Sequence, residues 1–67
     1  MNRQFAIITL SVVPVRAQPS DAAEQISQLL FGESVEILAQ ETKWWKVQCL
    51  FDDYIGWIDP KQCQIIS

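Results

Sequence analysis

The chain has 67 residues, of which 49% are apolar and 10% aromatic, enough for one small packed core and too many for a disordered segment. Its 5 Lys and Arg stand against 8 Asp and Glu, a net charge of −3, so it lacks the basic stripe with which a phosphate-backbone binder releases counterions, and no nucleic-acid partner is expected. A single domain, 1–67, is expected, of a size that buries only about 60% of the surface its unfolded chain exposes.

The N-terminus opens Met1-Asn2-Arg3-Gln4 and continues F-A-I-I-T-L-S-V-V-P-V, imitating the basic and apolar regions of a secretory signal. Pro14 and Arg16 interrupt the imitation, and no A-x-A cleavage site follows. No stretch approaches the roughly 18 apolar residues of a membrane span, so no membrane partner is expected. With Ile7, Ile8, Thr9, Val12 and Val13 β-branched, the segment reads as a strand over 5–10 and a second extended piece over 12–18. Pro14 has no backbone donor, so its nitrogen must face solvent or an open edge. Gln18-Pro19-Ser20-Asp21 is a turn that opens a loop.

The segment 22–30 supports two readings. Asp21 with Glu24 fits a capping box, and Ile26, Leu29 and Leu30 sit at helical spacing. The piece is short, Gly32 follows closely, and isolated helices below about 12 residues are marginal in water, so a strand is preferred. Residues 35–40 then form a strand with Val35, Ile37 and Ala39 on one face, and Glu41-Thr42-Lys43 is the polar turn after it.

The stretch 44–60, W-W-K-V-Q-C-L-F-D-D-Y-I-G-W-I-D-P, holds all 3 Trp and the only Tyr. Period two over 44–50 assigns Trp45, Val47 and Cys49 to a core face, and Trp44 with Lys46 to a wet face. Trp57 is also expected in the core. Asp52-Asp53 reads as turn chemistry, since adjacent carboxylates point apart and the chain has no His to act as a partner base. Asp59-Pro60-Lys61-Gln62 predicts one helical turn, and 63–66 a last short strand. Five or six short strands with polar turns predict an all-β, small antiparallel barrel with a one-turn 3-10 helix before its last strand.

Site signatures for phosphate, acyl-transfer and metal chemistry are absent, as is C-x-x-C. Cys49 and Cys63 are too few for a disulfide framework or a zinc site; they pair or stay free, with a reducing compartment favoured. A thiol on the core face has a raised pKa and no activating base. The 67 residues are therefore expected to be non-catalytic, with no cofactor and no metal.

Taken together, L-L-F-G-E-S-V-E-I-L (29–38), W-W-K-V (44–47) and G-W-I-D-P (56–60) resemble an SH3-type barrel. The front half, S-V-V-P-V-R-A-Q-P-S-D-A-A-E-Q-I-S-Q-L-L-F-G-E (11–33), is similar to the bacterial SH3 domain at the N-terminus of NlpC-type papain-like cell-wall peptidases. In those sequences V-R-x-x-P-S, an acidic residue before x-x-S-Q-L-L-x-G, and a final G-Y-I-G-W recur. This chain departs from them at Asp53, where a Gly before the Tyr is common.

The resemblance implies a recognition and docking module beside a C-terminal papain-like domain, a hydrolase that cuts γ-D-glutamyl to diamino-acid bonds of the peptidoglycan stem peptide. By motif position it implies substrate contacts from Glu24 and Tyr54, a carboxylate for an ammonium and an aromatic wall with a polar tip, with Asp21 and Asp53 as the other acidic candidates. Trp44 joins them as an aromatic on the wet face. It implies a bacterial cytoplasm if Met1 is the natural start, and periplasm or cell envelope if a signal was removed. Two alternatives stand beside it: a eukaryotic-type SH3 adaptor for Pro-rich peptides, and a purely structural packing module.

Overall fold

The structure is a computed structural model that describes residues 3–66. Seven strands form one sheet: β1 (Gln4–Ile8), β2 (Val12–Arg16), β3 (Gln25–Leu30), β4 (Ser34–Gln40), β5 (Trp45–Cys49), β6 (Ile55–Ile58) and β7 (Cys63–Ile65), with a 3-10 turn, Pro60–Gln62, just before β7. The order across the sheet is β3-β2-β6-β5-β4-β1-β7, and every pairing is antiparallel. The strands exceed the expected five or six because Ile55–Ile58, where no separate strand is predicted, pairs with β5 and β2. This is the all-β, SH3-like architecture, with its single 3-10 turn where the sequence puts it.

Alternation builds the core. Ala6 and Ile8 of β1, Val13 and Val15 of β2, Leu29 of β3 and Val35 of β4 are buried together with Val47, Cys49 and Ile58. Most are β-branched, which suits short pleated strands. The segment 22–30 shows why periodicity misleads over a short run: of Ile26, Leu29 and Leu30, only Leu29 is buried, and the strand's alternation overrides the helical spacing.

Two expectations about facing are corrected. Ala39 does not join Val35 and Ile37 on the inner face: the register slips between Ile37 and Ala39, and the extra residue of the bulge leaves the end of β4 exposed. Trp57 is not in the core either. On β6, Gly56 and Ile58 point inward, so Trp57 lies on the outer face, half-buried, opposite Lys46 on one side and Arg16 on the other. Trp45 packs against the core from its edge, as the alternation predicts.

Pro14 sits in β2 opposite Gln28 of β3, while β2 meets β6 only at the Arg16–Trp57 pair. Its donorless nitrogen is thereby tolerated inside the sheet order. At the Gly32 turn the backbone takes φ +89, the left-handed region that glycine enters freely. The Gly32 N–H donates to the Ile8 carbonyl (3.0 Å) and the Ile8 N–H to the Glu33 carbonyl (2.9 Å), tying the turn to β1. At the exposed N-terminal end Arg3 makes a bidentate pair with the Glu36 carboxylate (3.0 and 2.8 Å) and lies over the Phe5 ring. The bond to Arg3, ahead of the charge attraction, lowers the Glu36 pKa.

Gly56 has a stricter role. A Cβ there would lie 2.5 Å from Val15 Cγ1 and 2.8 Å from the Arg16 carbonyl oxygen. The Gly56→Ala variant is therefore expected to lose about 1–3 kcal/mol of stability, the usual range for overpacking, in urea unfolding monitored by tryptophan fluorescence. An unchanged midpoint would show that β2 and β6 are not packed this closely.

Candidate functional site

The longest connection, 17–24 between β2 and β3, is an ordered loop. The Ala17 N–H donates to the Glu24 carbonyl (2.8 Å) at its neck, and Ser20 organises its tip, its carbonyl accepting from the Ala23 N–H (3.1 Å) and its hydroxyl from the Ala22 N–H (3.1 Å). Ser20 thus organises the turn that Gln18-Pro19-Ser20-Asp21 predicts. Below the loop the half-buried Arg16 donates from Nη1 to the Ala23 carbonyl (3.2 Å), while its Nε is buried with no hydrogen-bond partner.

This loop places Asp21 beside a cleft of about 380 Å³. The opposite walls are Thr42, Lys43 and Trp44 from the β4–β5 turn, and Asp59, Pro60 and Lys61 from the 3-10 turn. The Glu41 N–H donates to the Trp44 carbonyl (2.9 Å), closing the first turn and setting the half-buried indole at the mouth of β5. Asp59 caps the second: its Oδ1 accepts from the Lys61 N–H (2.9 Å) while Pro60 supplies a preset φ. The cleft therefore has an indole and a proline ring as apolar walls, with charges of both signs around them.

The three residues singled out from the sequence are distributed unevenly. Trp44 lines the cleft; Glu24 and Tyr54 do not. Glu24 stands exposed at the neck of the 17–24 loop. Tyr54, half-exposed, follows the β5–β6 turn, and because β5 and β6 are antiparallel with Trp45 opposite Ile58 and Gln48 opposite Ile55, Trp44 and Tyr54 sit at opposite ends of that hairpin. The other cleft residues come from two sources: the β5–β6 pairing, with Trp45 opposite Ile58, sets Asp59 and Pro60 beside Trp44, while the long loop brings Asp21, another acidic candidate, to the same cleft.

The turn before Tyr54 explains the departure at Asp53. Asp53 adopts φ 63, in the left-handed region, which glycine enters at no steric cost and aspartate tolerates better than most residues. Its N–H donates to the Cys49 carbonyl (2.9 Å), the Cys49 N–H to the Tyr54 carbonyl (2.8 Å), and the Tyr54 N–H to Asp52 Oδ1 (3.3 Å). Both carboxylates of the Asp52-Asp53 pair thus belong to a turn.

Neither thiol is placed for nucleophilic work. Cys49 is 1% exposed, and burial, reinforced by Asp52 and Glu33, pushes its pKa up to about 11. Burial raises Cys63 as well, with Asp59 adding to the effect, and its Sγ donates to the Pro60 carbonyl (3.6 Å). Both cysteines are free. Among the described residues no cluster of three metal-ligating side chains occurs, and no helix is long and apolar enough to cross a membrane.

A family model described as the bacterial dipeptidyl-peptidase SH3 domain matches residues 15–62. No curated protein sequence matches the chain.

Two outcomes are expected at this site. Arg16→Ala should leave the sheet folded yet raise hydrogen exchange at the Ala17 and Ala23 amides about tenfold or more, since a bond from a charged donor is worth about 1.5–3 kcal/mol; unchanged exchange would show that the loop does not depend on Arg16. The folded Cys49 thiol holds its proton to about pH 11, whereas an unfolded cysteine releases it near about 8.5, so in that window the unfolded chain binds fewer protons. Stability should fall as pH rises through it. Urea melts from pH 7 to 11 should show a shallower decline for Cys49→Ala, starting from a lower value at pH 7 because of the cavity; parallel slopes would contradict the raised pKa.

Proposed function

The chain belongs to the family of bacterial dipeptidyl-peptidase SH3 domains, and we propose that it is the non-catalytic recognition and docking module of a cell-wall cysteine peptidase of the NlpC type. In this reading it packs on a C-terminal papain-like catalytic domain and shapes the cleft that receives a peptidoglycan stem peptide. The observation that carries the proposal is the Trp44 cleft: an apolar wall, Asp21 at its edge and a fixed backbone around it, on a domain whose two thiols are held protonated. Recognition without chemistry is what such residues offer.

The stem peptide has a free amino end and carboxylates along its length. Glu24 is the proposed partner for the ammonium, through a charge-assisted hydrogen bond, and Tyr54 and Trp44 are the proposed aromatic contacts, Trp44 from within the cleft and Glu24 and Tyr54 from outside it. Glu24 and Tyr54 are both exposed and need no rearrangement to meet a ligand.

A second reading has one observation in its favour. Trp44 and Pro60 line the same cleft between two loops, and an aromatic groove of this kind accepts a polyproline-II peptide.

A titration of the labelled domain separates the two. A stem-peptide fragment should shift the Glu24 and Tyr54 amides, with Glu24→Gln weakening the effect about tenfold, and a Pro-rich peptide should leave the spectrum unchanged. Shifts at Trp44 and Pro60 neighbours with the Pro-rich peptide alone would establish the adaptor instead. Downstream of Ser67 the gene should encode about 150 residues with one Cys and two spaced His, the size of one further domain; a kinase or helical scaffold there would end the peptidase reading.

A further inference from the structure

At the other end of β5 from Trp44 lies a surface that neither the core nor the proposed recognition cleft uses. The β3–β4 and β5–β6 turns stand side by side and form a groove of about 540 Å³ lined by Leu30, Phe31 and Phe51, with Gln28, Glu33 and Asp52 at its edges. Phe31 is 71% exposed and Phe51 90%. Leu30 and its cross-strand neighbour Val12 extend the apolar area, each about half exposed. Phe51 covers almost nothing in this domain, so packing does not account for a phenylalanine there.

The backbone beneath these rings is fixed. The Phe31 N–H donates to the Ser11 carbonyl (3.2 Å), Leu30 donates to the Glu33 carboxylate (2.6 Å), and the Cys49–Asp53 and Cys49–Tyr54 bonds hold the Phe51 turn. A partner would therefore meet aromatic groups already in position, and association would lose little freedom in ordering them.

Charge decides what kind of partner fits. Glu33 and Asp52 edge the groove, and both add to raising the pKa of the Cys49 thiol. The five basic side chains lie elsewhere: Arg3 on Glu36, Arg16 under the long loop, Lys43 and Lys61 at the other cleft, and Lys46 in β5 opposite Trp57. A second copy docked about a two-fold axis would set Glu33 and Asp52 against their own images, and an anionic bilayer would be repelled by the same groups. We infer that the Leu30–Phe31–Phe51 face is a docking surface for a protein partner that presents apolar side chains flanked by lysine or arginine. This surface does not depend on the peptidase reading; because Tyr54 shares the Phe51 turn and donates to Asp52, the two results are told apart by Glu24, which should shift only with the stem peptide, and by Phe31, which should shift only with the partner peptide.

The test uses the 67-residue chain, isotope-labelled, and an eight-residue peptide alternating leucine with lysine, compared with one alternating leucine with glutamate. Amide shifts confined to 28–33 and 50–53 are expected with the lysine peptide, with binding weakened at least tenfold by Phe51→Ser and severalfold by raising salt from about 20 mM to about 500 mM. Phe51→Ser should keep the folded spectrum because the ring is exposed. Asp52→Asn, which keeps an acceptor for the Tyr54 N–H, should weaken binding without disturbing the turn. Equal binding of the glutamate peptide, shifts elsewhere or none, an unchanged Phe51→Ser affinity, or a sedimenting dimer abolished by Phe51→Ser would each overturn the inference.

Discussion

The seam between β2 and β6 is the constraint on which the molecule depends. One backbone pair, Arg16 with Trp57, joins the β2–β3 hairpin to the rest of the sheet, so the join rests on side-chain packing. Gly56 makes that packing possible by leaving room for Val15 and the Arg16 carbonyl. Close contact there buries Val13, Val15 and Leu29 against Val47 and Ile58, and without it a domain of this size has too little apolar surface to stay folded.

The same seam sets the geometry of the candidate site. Arg16 is at once the residue that pairs with β6 and the one that holds the long loop by the Ala23 carbonyl. The loop then lies where Asp21 meets Trp44 and Pro60. Because every strand spends its inner face on the core, recognition is left to the turns, and these collect at the two ends of β5. One end carries an indole, a proline and charges of both signs; the other carries two phenylalanines and carboxylates.

Much of the fold is legible in the residues. The period of two through Trp45, Val47 and Cys49 and the Asp59-Pro60 start of the 3-10 turn follow from local chemistry, and each stands as read. The misreadings have physical causes. Trp57 was assigned inward for its size, although the inward position beside it had to be Gly56 because β2 comes so close. Ala39 was assigned inward by alternation, which a bulge interrupts without any signal in composition. The site was less legible: Trp44 could be found as an aromatic on the wet face, while Asp21, more than twenty positions before it, could not be tied to it.

By itself, then, the sequence determined the all-β class, the short strands and the turn types, because these rest on side-chain shape, period and residue type within a few positions. Only the tertiary structure decided which aromatics face outward, how Asp21 comes to share a cleft with Trp44, and that Phe31 and Phe51 stand side by side between two carboxylates. Those outcomes depend on strand order and on the approach of β2 to β6, which are contacts between distant parts of the chain and leave no local pattern to read.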